Sequence, residues 1–275
     1  GVGSSHCLPK TAWPPTYFVM YSFLGWICET VYCSAFAKRF VNRGFLSGPV
    51  CPIYGVGALF LIGALQPYEA SVAVVFVVGM LATSLLEYVT GWLMEALFHN
   101  KWWDYSTRLC NINGRVCLGN SILFGVLSAA VVFVIHPVVE YLVKSLPYAA
   151  KIGFALVFTV YFIVDLWITV NTVLRLNERL ARLSQLKDEL KVRFREYDWK
   201  EDERLLEMLD KLRANKSGAV LAVQEKVREL QEGNHVLQQR ILNAFPNLKS
   251  HRYAEHLADI KRIIEEKRNA FREKK

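Results

Sequence analysis

The sequence predicts an all-α protein, a polytopic membrane helix bundle of about five spans followed by a cytoplasmic C-terminal helical hairpin or coiled coil. Three observations lead there. Hydrophobic residues make up 53% of the 275 and the mean hydropathy is +0.20, too apolar for a soluble chain with a charged tail. Charge is also unevenly shared, since residues 1–173 hold 9 of the 33 Lys and Arg and 7 of the 25 Asp and Glu, leaving 24 and 18 for residues 174–275. Finally, five apolar windows at 17–37, 50–66, 72–98, 121–143 and 150–173 approach the ~20 residues that cross about 30 Å of hydrocarbon. The chain divides accordingly into an extracytoplasmic N-terminal segment (1–15), a transmembrane domain (16–173) and a cytoplasmic helical hairpin (174–275).

Orientation follows from the basic residues of the short connections. Lys38, Arg39 and Arg43 follow the first window and Lys101, Arg108 and Arg115 follow the third, whereas the connections at 67–71 and 144–149 carry only Lys144. The basic connections are therefore expected in the cytoplasm, and an odd number of spans leaves the N-terminus outside. Residues 1–15 have too little apolar length for a cleavable signal, so the first span is expected to serve as the targeting signal. The net charge of +8 does not indicate nucleic acid, because the tail's share, 24 − 18 = +6, is interleaved with acids and fits anionic lipid better. The six cysteines include no Cys-x-x-Cys pair and read as small apolar packers, so neither a metal nor a cofactor is expected.

Taken in order, the first span carries Glu29, and an ionisable residue inside a span is expensive enough to mark function by default. The segment that follows, Arg43-Gly44-Phe45-Leu46-Ser47-Gly48-Pro49-Val50-Cys51-Pro52-Ile53-Tyr54-Gly55-Val56-Gly57, holds two prolines and four glycines and cannot enter the bilayer as ordinary helix. Gly48, Pro49, Pro52, Tyr54 and Gly55 are candidates for a broken helix lining a site. The alternative is a tight helix start with small residues, Gly55 and Gly57, admitting a neighbour. The third span adds Glu87 and, two turns on, Glu95, while the fifth carries Asp165. Counted from the cytoplasmic ends of their windows, Glu29, Glu87 and Asp165 lie at similar depth, roughly 12–16 Å in. The alternative for each acid, strongest for Asp165, is that it hydrogen-bonds a neighbouring helix or is protonated.

The connection at 99–120 is long and aromatic. Trp102, Trp103 and Tyr105 suit a half-wet interface, and Asp104, Asn111, Asn113 and Arg115 bring an anion, amides and a cation beneath the acidic stripe. An interfacial anchor would explain the aromatics but not the Asn-x-Asn-Gly-Arg run. In the tail, Leu176, Leu180, Leu183 and Leu190 recur at helical steps, continuing straight out of the fifth span. A second stripe at Leu205, Met208, Leu209 and Leu212, a turn at Lys216-Ser217-Gly218, and a third stripe from Val223 to Ile241 complete a hairpin. It reads either as a solvated stalk or as a docking surface. The membrane part is expected to insert without it, since helices close their own backbone hydrogen bonds.

Gly25-Trp26-Ile27-Cys28-Glu29, the 43–57 segment, Leu86-Glu87-Tyr88, and Trp103-Asp104-Tyr105-Ser106 followed by Asn113-Gly114-Arg115 together resemble the bacterial family named Putative ABC-transporter type IV, or CmpB-like, over residues 16–173. The resemblance implies a multi-pass protein of the bacterial cytoplasmic membrane, a permease served by a separate ATPase. The chain has no Gly-x-x-x-x-Gly-Lys-Ser/Thr loop of its own.

Three functions compete. A transporter or permease component would use Glu29, Glu87 and Asp165, with Glu95 extending the acidic stripe, as a path open to the cytoplasm for a cationic or zwitterionic substrate, with Arg115 or Asp104 gating it. A membrane-embedded enzyme would hold a divalent cation on the carboxylates while Arg115 takes a lipid headgroup phosphate. A scaffold or sensor would use the membrane part as an anchor. The expected partners are membrane lipids, a separate ATPase or other cytoplasmic protein at the hairpin, and a second copy of the chain.

Overall fold

The computed structural model describes residues 14–65, 71–193, 204–212, 218–232 and 236–273. Residues 1–13 of the expected N-terminal segment and the expected turn at Lys216 and Ser217 lie outside them. Three helices are long and apolar enough to cross a membrane. These are α3 (Val72–Phe98), the run formed by α4 (Leu118–Ala130), a π-helical turn (Val131–Ile135) and α5 (His136–Ser145), and α6 (Tyr148–Arg193). Their outer faces form an apolar belt, with Leu85 64%, Val157 72% and Trp167 67% exposed, which water would not tolerate over so large an area. The first two apolar windows fall on shorter or more polar helices. α1 (Pro14–Ala37) has 24 residues but buries Thr16, Tyr17, Tyr21, Ser22 and Thr30, and α2 (Pro52–Leu65) has 14, about 21 Å against roughly 30 Å of hydrocarbon.

Local chemistry sets these elements. Pro137 has no N–H and its ring crowds the carbonyl four residues before it, so the preceding turn widens and the His136 N–H reaches Val131 O. α3 and α4 approach closely because Gly79 lies against Ser128 and Gly125 against Phe76, where an added Cβ would fall 2.3 and 2.7 Å from its neighbour. At the end of α3, His99 turns left-handed. Asn177 of α6 then donates to Phe98 O at 2.9 Å and accepts from Asn100 at 2.8 Å. β1 (Asn100–Lys101) pairs antiparallel with β2 (Lys249–Ser250), the sole sheet among the described residues.

α6 runs unbroken for 46 residues, about 69 Å, more than twice the hydrocarbon thickness. Its extension is the axis of the tail. α7 (Leu205–Leu212), α8 (Gly218–Glu232), α9 (Val236–Ala244) and α10 (Ala254–Glu273) pack on it. Leu176, Leu180, Leu183 and Leu190 are buried in one core with Met208, Leu212, Val227, Ile241 and Ile260. The stripes thus face one another rather than solvent.

The same core runs into the membrane part through Phe98, Trp102 and Phe245. Trp102 is 2% exposed, with Phe45, Phe98 and Phe245 rings 5.0–6.0 Å away. The half-wet position expected for it is therefore dry, because the tail covers it. Residues 38–51 form no helix, so their carbonyls need outside donors. Arg240 of α9 supplies them, donating to Phe45 O and Leu46 O at 2.9 Å and to Gly44 O at 3.3 Å. Arg43 reciprocates by donating to Ala244 O and lying 4.6 Å from the Phe245 ring. Residues 44–46, which lie in no helix, thus take their donor from the tail.

Candidate functional site

The irregular segment is held from the side by α6. Ser47 N and Gly48 N donate to the two oxygens of Asp165 at 3.0 and 2.8 Å. Gly48 permits this approach, since a Cβ there would lie 1.4 Å from Tyr161 Oη. Asp165 is 6% exposed and works as a fastener for backbone. Pro52 opens α2 at the position where a missing N–H costs nothing, and Gly55 lets α2 meet α1, an added Cβ falling 2.3 Å from Ser22 Oγ.

Tyr54, on the first turn of α2, connects the first acid to the second. Its hydroxyl donates to Glu29 Oε1 at 2.7 Å, while Arg43 Nε lies 3.6 Å from Glu29 Oε2. The ring fits because Gly25, one turn before Glu29, has no side chain; a Cβ there would lie 2.3 Å from Tyr54 Cγ. Tyr54 also lines a cavity of about 80 Å³ between α2, α3 and α4, and Glu87 lines it too. Glu87 is 6% exposed. Its Oε1 accepts from Tyr105 Oη at 3.4 Å, and that hydroxyl accepts from Asn120 Nδ2 at 2.6 Å. Its Oε2 is buried with no hydrogen-bond partner, which costs a carboxylate several kcal/mol unless something else meets it. The walls are otherwise largely apolar.

The loop between α3 and α4 is folded by its own polar groups. Asn111 donates to Ser106 O and Arg108 O and accepts from Gly114 N at 3.1, 2.9 and 3.1 Å. Asn113 and Gly114 are left-handed, with φ of 53° and 66°, and Asn113 donates to Tyr88 Oη at 2.9 Å. Arg115 pairs with Glu95, its Nε at 3.1 Å from Oε2 and its Nη2 on the same oxygen. Its guanidinium also lies 5.3 Å from the Tyr88 ring centre. Glu95, not Glu87, is the partner. Trp103 Nε1 donates to Arg115 O at 2.8 Å, and Gly91 leaves room for both side chains, which lie 3.1 and 3.6 Å from where its Cβ would be. Asp104 accepts from Lys249 at 2.7 Å, Lys101 at 2.9 Å and the Ser106 amide at 3.1 Å. Lys249 foremost, with Ser106 and Lys101, holds its carboxyl well below the usual carboxylate range. Burial pushes the Tyr105 hydroxyl up, with Glu87 adding to it, so it stays a donor.

The structure thus brings Glu29, Tyr54 and Glu87 together, and separately Glu95 with Arg115. Asp104, Asn111 and Asn113 belong to the loop's own bonding. Asn120 and Arg240 are not among the sequence candidates, and Tyr88 enters only within the Leu86-Glu87-Tyr88 motif; Arg240 is one of many tail cations. Among the described residues the single group with metal-ligand geometry is Glu255, His256 and Asp259, whose ligand atoms lie within 4.8 Å of one another. Lys187 sits 2.8 Å from Glu255, and Arg262 and Arg204 sit 3.5 and 3.8 Å from Asp259, so cations already offset those acids.

No curated protein and no solved structure matches the chain. A family model described as Putative ABC-transporter type IV matches residues 16–170, the stretch that holds Glu29, Tyr54, Glu87 and the loop that carries Arg115. With that match covering more than half of the 275 residues, the chain belongs to the Putative ABC-transporter type IV family.

Proposed function

We propose that the chain is the membrane component of a transporter or permease for a cationic or zwitterionic substrate, with Glu29 and Glu87 flanking the path and Tyr54 between them. One observation carries this reading. Glu87 lines a cavity of about 80 Å³ and its Oε2 is buried without a hydrogen-bond partner, in a place where burial of an acid is costly. The volume suits a small cationic group, and the Tyr54 hydroxyl, already committed to Glu29, keeps the second acid nearby. The loop, closed by Arg115 on Glu95, lies where a gate would.

The reading takes α1 and α2 as spans beside the three longer helices. It places the N-terminus outside and the tail in the bacterial cytoplasm, and treats α7 and α8 as a helical hairpin on α6 where a separate ATPase docks. The lipid-headgroup enzyme is less well supported, because Arg115, its phosphate ligand, pairs with Glu95.

Cation uptake by proteoliposomes carrying the whole chain, with a panel of inorganic and small organic cations, tests the site. Glu87→Gln should abolish uptake while leaving a monodisperse protein of wild-type yield. Equal uptake by wild type and Glu87→Gln would end the proposal. Sidedness is tested on a background free of native cysteines, where Ser145→Cys should react with an impermeant maleimide in intact cells and Glu225→Cys should not.

A further inference from the structure

A second concavity lies away from the acidic pair, at the seam where the end of α1, the connection after it, the Trp102–Trp103 corner and residues 243–247 meet. Its volume is about 420 Å³, within the range of about 300–1,000 Å³ usual for small-molecule sites. Among the described residues the lining contains two guanidinium groups, Arg39 and Arg43, and no carboxylate. Glu29 approaches Arg43 at 3.6 Å from outside the lining. Amides of Asn243 and Asn247 add neutral donors at the tail side. The other wall is apolar and continues onto the outer face of α1, where Tyr32 and Phe36 are 60% and 76% exposed and their rings pack 4.8 Å apart. The groove carries its cations in the lining and continues onto the exposed aromatic face of α1.

We propose that this groove binds the phosphate headgroup of an anionic glycerophospholipid from the leaflet on the tail's side of the membrane, with Arg39 as the principal contact and the acyl chains lying along Tyr32 and Phe36. Charge complementarity selects the head, since the lining offers only positive and neutral donors. The exposed aromatic pair selects an amphiphile over a free anion, because inorganic phosphate would gain nothing from it. The groove's walls come from both the membrane part and the tail, so an occupying lipid would link the two. The inference is independent of any transport activity.

Native mass spectrometry of the full chain in neutral detergent, titrated with phosphatidylglycerol or with phosphatidylcholine of the same acyl chains, reads the preference directly. Phosphatidylglycerol should bind about tenfold more tightly. Arg39→Gln should bring the two lipids level, Arg39→Lys should keep most of the preference, and Arg108→Gln, on an exposed residue outside the groove, should leave it intact. Ala37→Glu, which places an acid in the lining at an exposed position, should also remove it and covers the case in which Arg39→Gln fails to fold. Equal binding of both lipids by wild type, or an unchanged preference in Arg39→Gln or Ala37→Glu, would overturn the proposal. So would displacement of bound lipid by excess inorganic phosphate, which would mark a site for free anions. Because the assay is in detergent, its failure leaves the sidedness and the Glu87 reading standing, and theirs leaves it standing.

Discussion

Asp165 and Glu87 are equally buried, each 6% exposed in an apolar helix, yet their surroundings differ in kind. Around Asp165 the neighbours are backbone amides, and both oxygens are occupied by Ser47 N and Gly48 N. Around Glu87 the neighbours are a distant Tyr105 hydroxyl on Oε1 and the Asn120 amide, its Oε2 has no hydrogen-bond partner, and the residue lines a cavity. An intramembrane acid is costly in either setting, but only the first setting satisfies it with the chain's own groups. The difference separates an acid that holds the fold from an acid that the fold holds open.

Substitution should expose that difference most strongly at Asp165. Asp165→Ala strips two buried amides of their acceptor, at a cost of about 3 kcal/mol or more, and should cut the folded fraction sharply, read as the monodisperse peak of detergent extracts. Glu87→Gln keeps shape and should leave that peak unchanged. A normal Asp165→Ala peak, or a collapsed Glu87→Gln one, would erase the contrast. Gly48→Ala attacks the same fastener from the backbone side, because its Cβ would meet Tyr161 Oη and Cζ at 1.4 and 2.7 Å. A loss of about 1–3 kcal/mol is expected, partly restored by Tyr161→Ala. Thermal unfolding of the two variants decides it, and an unaltered melting temperature for Gly48→Ala would mean the segment moves freely.

The tail supplies the next test. Arg240→Met leaves the carbonyls of 44–46 without their donor and should cost about 2 kcal/mol, faster hydrogen exchange at 44–48 being the local sign. Deleting 180–275 should be worse, since it also uncovers Phe98 and Trp102. A truncated chain as stable as the whole would show that the tail merely rests on the membrane part.

These roles explain what could and could not be read from the chain. Glu29 and Glu87 stand out in sequence because acids are rare among apolar residues, and the 43–57 segment because its Pro and Gly mark a break, which the structure confines to 38–51 before α2 starts at Pro52. What each acid touches is another matter. Asp165 meets Gly48 across 117 positions, and no local pattern encodes that approach. Arg240 reaches Leu46 across 194, one cation in a tail that has many. Trp102 carries the residue type of an interface, and only the tail's Phe245 makes its place dry. The Asn-x-Asn-Gly-Arg run looks like ligand chemistry, whereas its amides close a loop and its Arg115 meets Glu95. Five apolar windows are visible, but apolarity alone does not reveal that the helix of the second begins only at Pro52.

Arg115 and Glu95 allow the loop's closure to be measured against the cavity's opening. The guanidinium places two nitrogens on one carboxylate oxygen, with side chains 17% and 13% exposed. Arg115→Gln and Glu95→Gln should each destabilise by about 1–2 kcal/mol, and the double change by less than their sum, because neither charge is then left alone. Additive losses would show that the pair is not coupled. Arg115→Gln with Glu87→Gln should be additive.

The smallest effect lies at the outer end of the same loop, where Asp104 ties it to the tail through Lys249. A depressed carboxyl value in the folded state means that protonation opposes folding. The contribution is therefore fully present above the unfolded value of about 3.9 and is lost as pH falls through the folded value. Lys249 is the largest cause of the depression, so Lys249→Met should raise the folded value and move the acid loss to higher pH. Lys249's side chain is 66% exposed, and solvent screening holds the pair to under about 1 kcal/mol. Lys101 and the Ser106 amide remain on Asp104 in the variant, so the loop should keep its shape at neutral pH. Protection from hydrogen exchange at Lys101 and His251, the latter donating to His99 O at 3.2 Å, should be lost as pH falls below the unfolded value of about 3.9, and at higher pH in Lys249→Met than in wild type. Coincident profiles for the two proteins would show that the two-residue ladder, rather than the ion pair, fastens the loop to the tail.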